Sequence, residues 1–90
     1  MDIVDNVAQH RYELPVDGGT AFLQYQRRAG VVTLIHTEVP PALRGGGVAG
    51  RLARHALEAA RSAGEKVVPM CPYVQAYLQK HPEYSDLIRH

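Results

Sequence analysis

Apolar and polar positions alternate over the first third of the chain. Tyr12, Leu14 and Val16 fall on one face of an extended segment, and Ala21, Leu23 and Tyr25 on one face of a second. Asp17-Gly18-Gly19 between them has the composition of a tight turn, so the two segments read as a hairpin. Arg28-Ala29-Gly30 is another turn signal. The β-branched run from Val31 to Val39 then predicts a third antiparallel strand, ending at Pro40-Pro41.

From Val48 the period changes. Val48, Leu52, Ala56, Ala59 and Ala63 recur at helical spacing, with Ala49, Ala53 and Ala60 beside them and Arg51, Arg54, Glu58 and Arg61 elsewhere. Gly64 stands where a left-handed cap closes such a helix. Lys66 to Met70 reads as a short strand, and the connection through the helix is long enough for it to pair in parallel with the Val31 to Val39 strand. A second helix is expected from Tyr73 to about His81, with Val74, Tyr77 and Leu78 inward and Pro82 closing it. Glu83 to His90 carries no decisive pattern. The expected fold is α/β: antiparallel strands, a β-α-β unit and a further helix, with the Val48 to Ala63 helix covering one sheet face.

Composition limits what this fold can be. Ninety residues, 46% of them hydrophobic, with no repeat or linker, suit one domain over residues 1–90. A formal charge of +1 sets up no global field toward nucleic acid or membrane. Cys71 is the only cysteine, which excludes an internal disulfide and a cysteine-cluster zinc site and fits a reducing, cytoplasmic setting. The N-terminus lacks the features of a secretory signal, and no apolar run is long enough to span a bilayer, so a soluble protein is expected.

The strongest chemical signal is Arg44-Gly45-Gly46-Gly47-Val48-Ala49-Gly50. Glycines just before a helix let backbone approach a ligand closely, and the helix's first amides and dipole favour an anion. Arg44, and Arg51 or Arg54, are available as cationic contacts. A Walker A loop is excluded because Gly-Lys-Ser/Thr is absent. Gly45, Gly47 and Gly50 spell G-x-G-x-x-G, yet Pro40 to Arg44 separates them from the preceding strand, and the chain is too short for a doubly wound dinucleotide domain. A purely structural turn competes with the anion site.

Taken with its flanks, the sequence resembles the GNAT acetyltransferase superfamily, whose pyrophosphate loop reads Arg or Gln, two residues, Gly, one residue, then Gly or Ala. Arg44, Gly47 and Ala49 fit it. It is most similar to the very small, stand-alone GNAT-like proteins, through His36-Thr37-Glu38-Val39-Pro40 before the loop and Cys71-Pro72-Tyr73-Val74 after the next strand. Tyr77-Leu78 and His81-Pro82-Glu83-Tyr84 follow, so the likeness spans roughly Tyr12 to Ile88. It implies acetyl-CoA binding, with the strand ending at Val39 pairing with the pantetheine arm and residues 44–50 taking the pyrophosphate. The cleft it implies opens where the Val31 to Val39 and Lys66 to Met70 strands splay apart.

Acyl transfer to an amine needs a base for the amine, polarisation of the thioester carbonyl and a proton for the departing thiolate. His36 and Glu38, two apart on one strand, share a face, and either can serve as base directly or through water. In the superfamily a Glu in this strand often has that role. Cys71, between a strand end and a helix start, is a candidate thiolate nucleophile. Each has a structural alternative: a solvated charge for Glu38, a satisfied histidine for His36, a small buried hydrophobe for Cys71. Leu78 falls near the place of the superfamily's tyrosine general acid, which leaves Tyr73 or Tyr77 as substitutes, with core packing as their alternative role. Lys80 and His81 at the helix end have no settled role.

The Asp17-Gly18-Gly19 turn leaves no room for the helices that larger superfamily members place between their first strands. The acceptor side is therefore expected to be open, suiting an amine on a protein or other large, flexible molecule, or a site completed by a second copy. The reading is acetyl-CoA-dependent N-acyl transfer with no metal, nucleic acid or membrane partner. A CoA-binding module without turnover is the rival, and a basic surface over Arg44 to Arg54 for RNA or protein a weaker one.

Overall fold

The computed structural model describes residues 2–89. It forms one five-stranded sheet: β1 (Val4–Asn6), β2 (Arg11–Val16), β3 (Gly19–Arg28), β4 (Val31–Glu38) and β5 (Lys66–Pro69). The strands lie in chain order, antiparallel from β1 to β4, with β5 parallel to β4. Helix α1 (Val48–Ala63) crosses between β4 and β5, and α2 (Pro72–Lys80) follows β5.

The hairpin turn is as tight as its residues suggest. Val16 pairs with Gly19, so only Asp17 and Gly18 lie between the paired positions. Gly18 takes φ 87°, a backbone state that an L side chain would strain. Strand β1 has no counterpart in the expected pattern: it is three residues long, and its Val4 is exposed, so no alternation announces it. The closing segment forms a 3-10 turn over Pro82–Leu87, and Ile88 then bridges to Val67.

One buried cluster joins Tyr12, Leu14, Leu23, Tyr25 and Leu34 of the sheet to Leu52, Ala56 and Leu57 of α1 and Val74 of α2. Both helices and the closing turn therefore pack on one sheet face. Among the described residues no helix covers the other. The buried stripe of α1 is Leu52, Ala53, Ala56, Leu57 and Ala60, while Ala63 is exposed. At about 100° per residue Ala63 points between Leu52 and Ala56, so its exposure comes from its place in the last turn rather than from its heading, and the stripe extends the other way to take in Leu57. Gly64 caps the helix at φ 70°, and its N–H donates to carbonyls of Ala60 and Arg61.

Buried tyrosines tie this core to the helix-side edges. Tyr25 Oη donates to Asp5, and Tyr84 Oη to Glu58. Burial and the bond to Asp5 push the Tyr25 hydroxyl up to about 12. The bond to Glu58, with burial, does the same for Tyr84. A raised acid favours its neutral form in the fold, so this stabilisation is complete below the ordinary tyrosine value of 10.0 and is lost as pH climbs through about 12. Thermal melts should therefore show a steep loss of stability between those values, and a Tyr25→Phe, Tyr84→Phe double variant should flatten that slope.

Candidate functional site

Strand β4 carries an irregularity that sets the site. Tyr25 pairs with Leu34 and Gln24 with His36, which leaves Ile35 as an extra residue with no partner across β3. Before the bulge, Val32 and Leu34 point into the core. Unbroken alternation would send His36 and Glu38 the same way. The bulge reverses the sense: Thr37 and Val39 turn to the helix side, and His36 and Glu38 to the open face. Both are more than half exposed, and His36 Nε2 lies 4.0 Å from Glu38 Oε2.

Beyond the bulge β4 and β5 part. Their pairing ends at Leu34 and Pro69, and the Leu34 carbonyl accepts both the Met70 and Cys71 N–H at 2.9 Å, turning the chain away into α2. A cleft of about 590 Å³ opens at this divergence. Residues His36 to Val39 form one side, and Leu43, Arg44, Gly45 and Gly47 with Val48 and Ala49 of α1 form the floor of the loop end. Tyr73 of α2 closes the opposite side.

The loop is built to expose backbone. Gly45 and Gly47 sit at φ 88° and 81°, and a Cβ on Gly46 would press against the Leu43 carbonyl at 3.3 Å. Gly47 caps α1 without any side-chain hydrogen bond, and no acidic residue lies in the first turn. The first helical amide with a carbonyl to reach is that of Arg51, which donates to Gly47 at 3.1 Å. The amides before it are left to whatever occupies the cleft, at the positive end of a helix sixteen residues long. Arg44 Nε donates to the Val39 carbonyl at 3.2 Å, which ties the loop to the end of β4.

The structure thus gathers His36, Glu38, Val39, Arg44, Gly45, Gly47, Val48 and Ala49 around one cleft. Gly46 and Gly50 do not line it, and a Cβ on Gly50 would meet the Tyr73 hydroxyl at 3.4 Å. Arg51 and Arg54 do not line it. Cys71 stands apart from the other candidates. It is 2% exposed, with Sγ 3.3 Å from Thr37 Oγ1, and Thr37, which the sequence did not single out, reaches the cleft in front of it. Of the two tyrosines, Tyr73 lines the cleft, whereas Tyr77 stacks on His81 with ring centroids 4.0 Å apart. Among the described residues no group of His, Cys, Asp and Glu could hold a metal ion, and no helix is long and apolar enough to cross a membrane.

The family model described as GCN5-related N-acetyl-transferase matches residues 11–87, from the start of β2 to the end of the closing turn. The chain belongs to the GCN5-related N-acetyltransferase family. Its α/β architecture matches the solution structure of a GCN5-like protein from Staphylococcus aureus, with a TM-score of 0.76 over 98% of this chain and 87% of that one, at 23% identity. It is also 42% identical over 52 residues to Protein NATD1 of Gallus gallus and of Mus musculus, covering 58% of this chain and 47% of each of those proteins. The chain therefore spans about half the length of the curated relatives it matches. In this chain the parting of β4 and β5, the bulge and the glycine loop form one connected construction: the bulge aims side chains, the splay makes room, and the loop exposes amides.

Proposed function

We propose that the chain is an acetyl-CoA-dependent N-acyltransferase, and the observation that carries this reading is the glycine cradle at the α1 start, open to the cleft between the diverging strands. Two neighbouring phosphates suit unpartnered amides, a helix N-terminus and an adjacent guanidinium, with no carboxylate in the first turn to repel them. The edge of β4 that β5 vacates offers extended backbone to an amide-bearing arm such as pantetheine. Acetyl-CoA supplies the activated acyl group when bound there.

The residues of β4 then face the acceptor. His36 and Glu38, close together and open to solvent, receive the proton that the attacking amine must lose, directly or through water. Tyr73, across the cleft, returns a proton to the thiolate. Cys71 enters the reaction only if Thr37 moves aside, so direct transfer to the amine is the simpler course. The uncovered sheet face leaves the acceptor side unwalled, which suits an amine on a peptide or protein.

Calorimetric titration with acetyl-CoA tests the binding, and absence of binding rejects the reading. Acetyl-CoA consumption over an amine panel tests turnover. Glu38→Gln should lower kcat about a hundredfold with acetyl-CoA affinity kept, the range of a lost general base. Unchanged kcat in both Glu38→Gln and His36→Gln removes them as the base. Binding with no consumption for any amine favours the non-catalytic module.

A further inference from the structure

The sheet face away from the helices holds a second concavity, about 460 Å³, which the acyl-transfer reading does not use. Val31 and Thr33 of β4 and Val68 of β5 form its floor, and Gln26, Arg28 and Arg89 its rim. Local backbone puts the two arginines there. Ala29 and Gly30, at φ 53° and 80°, fold β3 straight back onto β4 and set Arg28 opposite Val31. On the far side the Arg89 N–H donates to the Val67 carbonyl at 2.9 Å beside the Ile88 bridge, so the closing segment extends the sheet past β5 and carries Arg89 to the rim.

Other cations at this end of the sheet are committed. Lys66 Nζ donates to the Asp86 carbonyl at 2.7 Å, and Arg27 pairs with Glu65 on the helix side. Arg28 and Arg89 form no ion pair among the described residues. Two guanidinium groups over a shallow floor, with Gln26 and Thr33 lining the same concavity, present donors matched to a carboxylate.

The concavity and the His36 and Glu38 side of the cleft share the open face, along one strand. From Val31, opposite Arg28, to His36 is roughly 15 Å at the rise of a strand. The face thus has guanidinium groups at one end and the Glu38 carboxylate at the other. We infer that the acceptor is an acidic peptide lying extended along this face, its amine at His36 and Glu38 and a carboxylate about four or five residues away held by Arg28 and Arg89. The amine end rests on the acyl-transfer reading; the carboxylate end stands on the groove alone.

The test uses the full chain and three peptides labelled at the C-terminus, each with a free N-terminal amine. One has Glu at the fifth position, one Gln there, and one Glu moved to the second position. Fluorescence anisotropy should show the first binding at least about tenfold more tightly than the others, since a carboxylate paired with arginine is a charge-assisted contact. The Arg28→Gln, Arg89→Gln double variant should erase that preference while its thermal melt and acetyl-CoA titration stay unchanged. Equal binding of the three peptides, no binding of any, or a preference that survives in the double variant overturns the inference. Mass spectrometry of the same peptides with acetyl-CoA separates the two readings. A retained binding preference with no acetylated product leaves the groove standing and rejects acyl transfer.

Discussion

Gly47→Glu should abolish measurable acetyl-CoA binding while leaving a folded protein. Gly47 holds φ 81° at the α1 cap, where a side chain meets open space rather than protein atoms. The left-handed backbone therefore costs only about 1–2 kcal/mol. The new carboxylate stands at the mouth of the cradle, where it competes for the helix's first amides and repels a pyrophosphate. Losing two charge-assisted hydrogen bonds, each about 1.5–3 kcal/mol, corresponds to a fall in affinity of about a hundredfold to ten-thousandfold. Calorimetric titration reads the affinity, and a thermal melt shows whether the fold survives. Gly47→Ala isolates the backbone cost from the charge: it should bind acetyl-CoA far better than Gly47→Glu. Equal loss in both would shift the explanation from electrostatics to loop geometry.

Leu52→Ala should be the most damaging single truncation for stability. Leu52 is fully buried on α1, one turn after the glycine cap, and packs in the cluster that joins the helix to the sheet. Large-to-alanine changes at such sites cost about 2–5 kcal/mol. A small domain has about 5–15 kcal/mol in all. Denaturant unfolding should show that loss as a lower midpoint at unchanged slope. Because the helix start is also the anion cradle, acetyl-CoA affinity should fall with it; saturating acetyl-CoA should recover part of the lost melting temperature by mass action. Gln79→Ala, a truncation on the exposed side of α2, serves as the neutral control.

Much of the fold is written in local patterns. The alternation of Tyr12, Leu14 and Val16 against Ala21, Leu23 and Tyr25 names the hairpin, and most of the same side chains line the core. The helix from Val48, its Gly64 cap and the parallel return of Lys66 to β4 follow from spacing and turn chemistry. Strand β1 escapes because three residues with an exposed valine carry no period to detect. The site is legible in part. The glycine loop announces itself by composition, but Thr37 carries no signal: its place in the cleft depends on the register of β4 rather than on its own chemistry.

What the sequence determines by itself is the pairing of His36 with Glu38 on one face, the glycine turn at a helix start and the order of elements, because each depends on neighbours a few residues away. It also holds a trace of the bulge, two adjacent apolar residues, Leu34 and Ile35, where alternation calls for one. Which face His36 and Glu38 take, that Cys71 is buried beside Thr37, and that Arg28 and Arg89 line one concavity were decided only by the tertiary structure. Those outcomes depend on how β3, β5 and the closing segment register against β4, and strand register is set by packing between segments far apart in the chain.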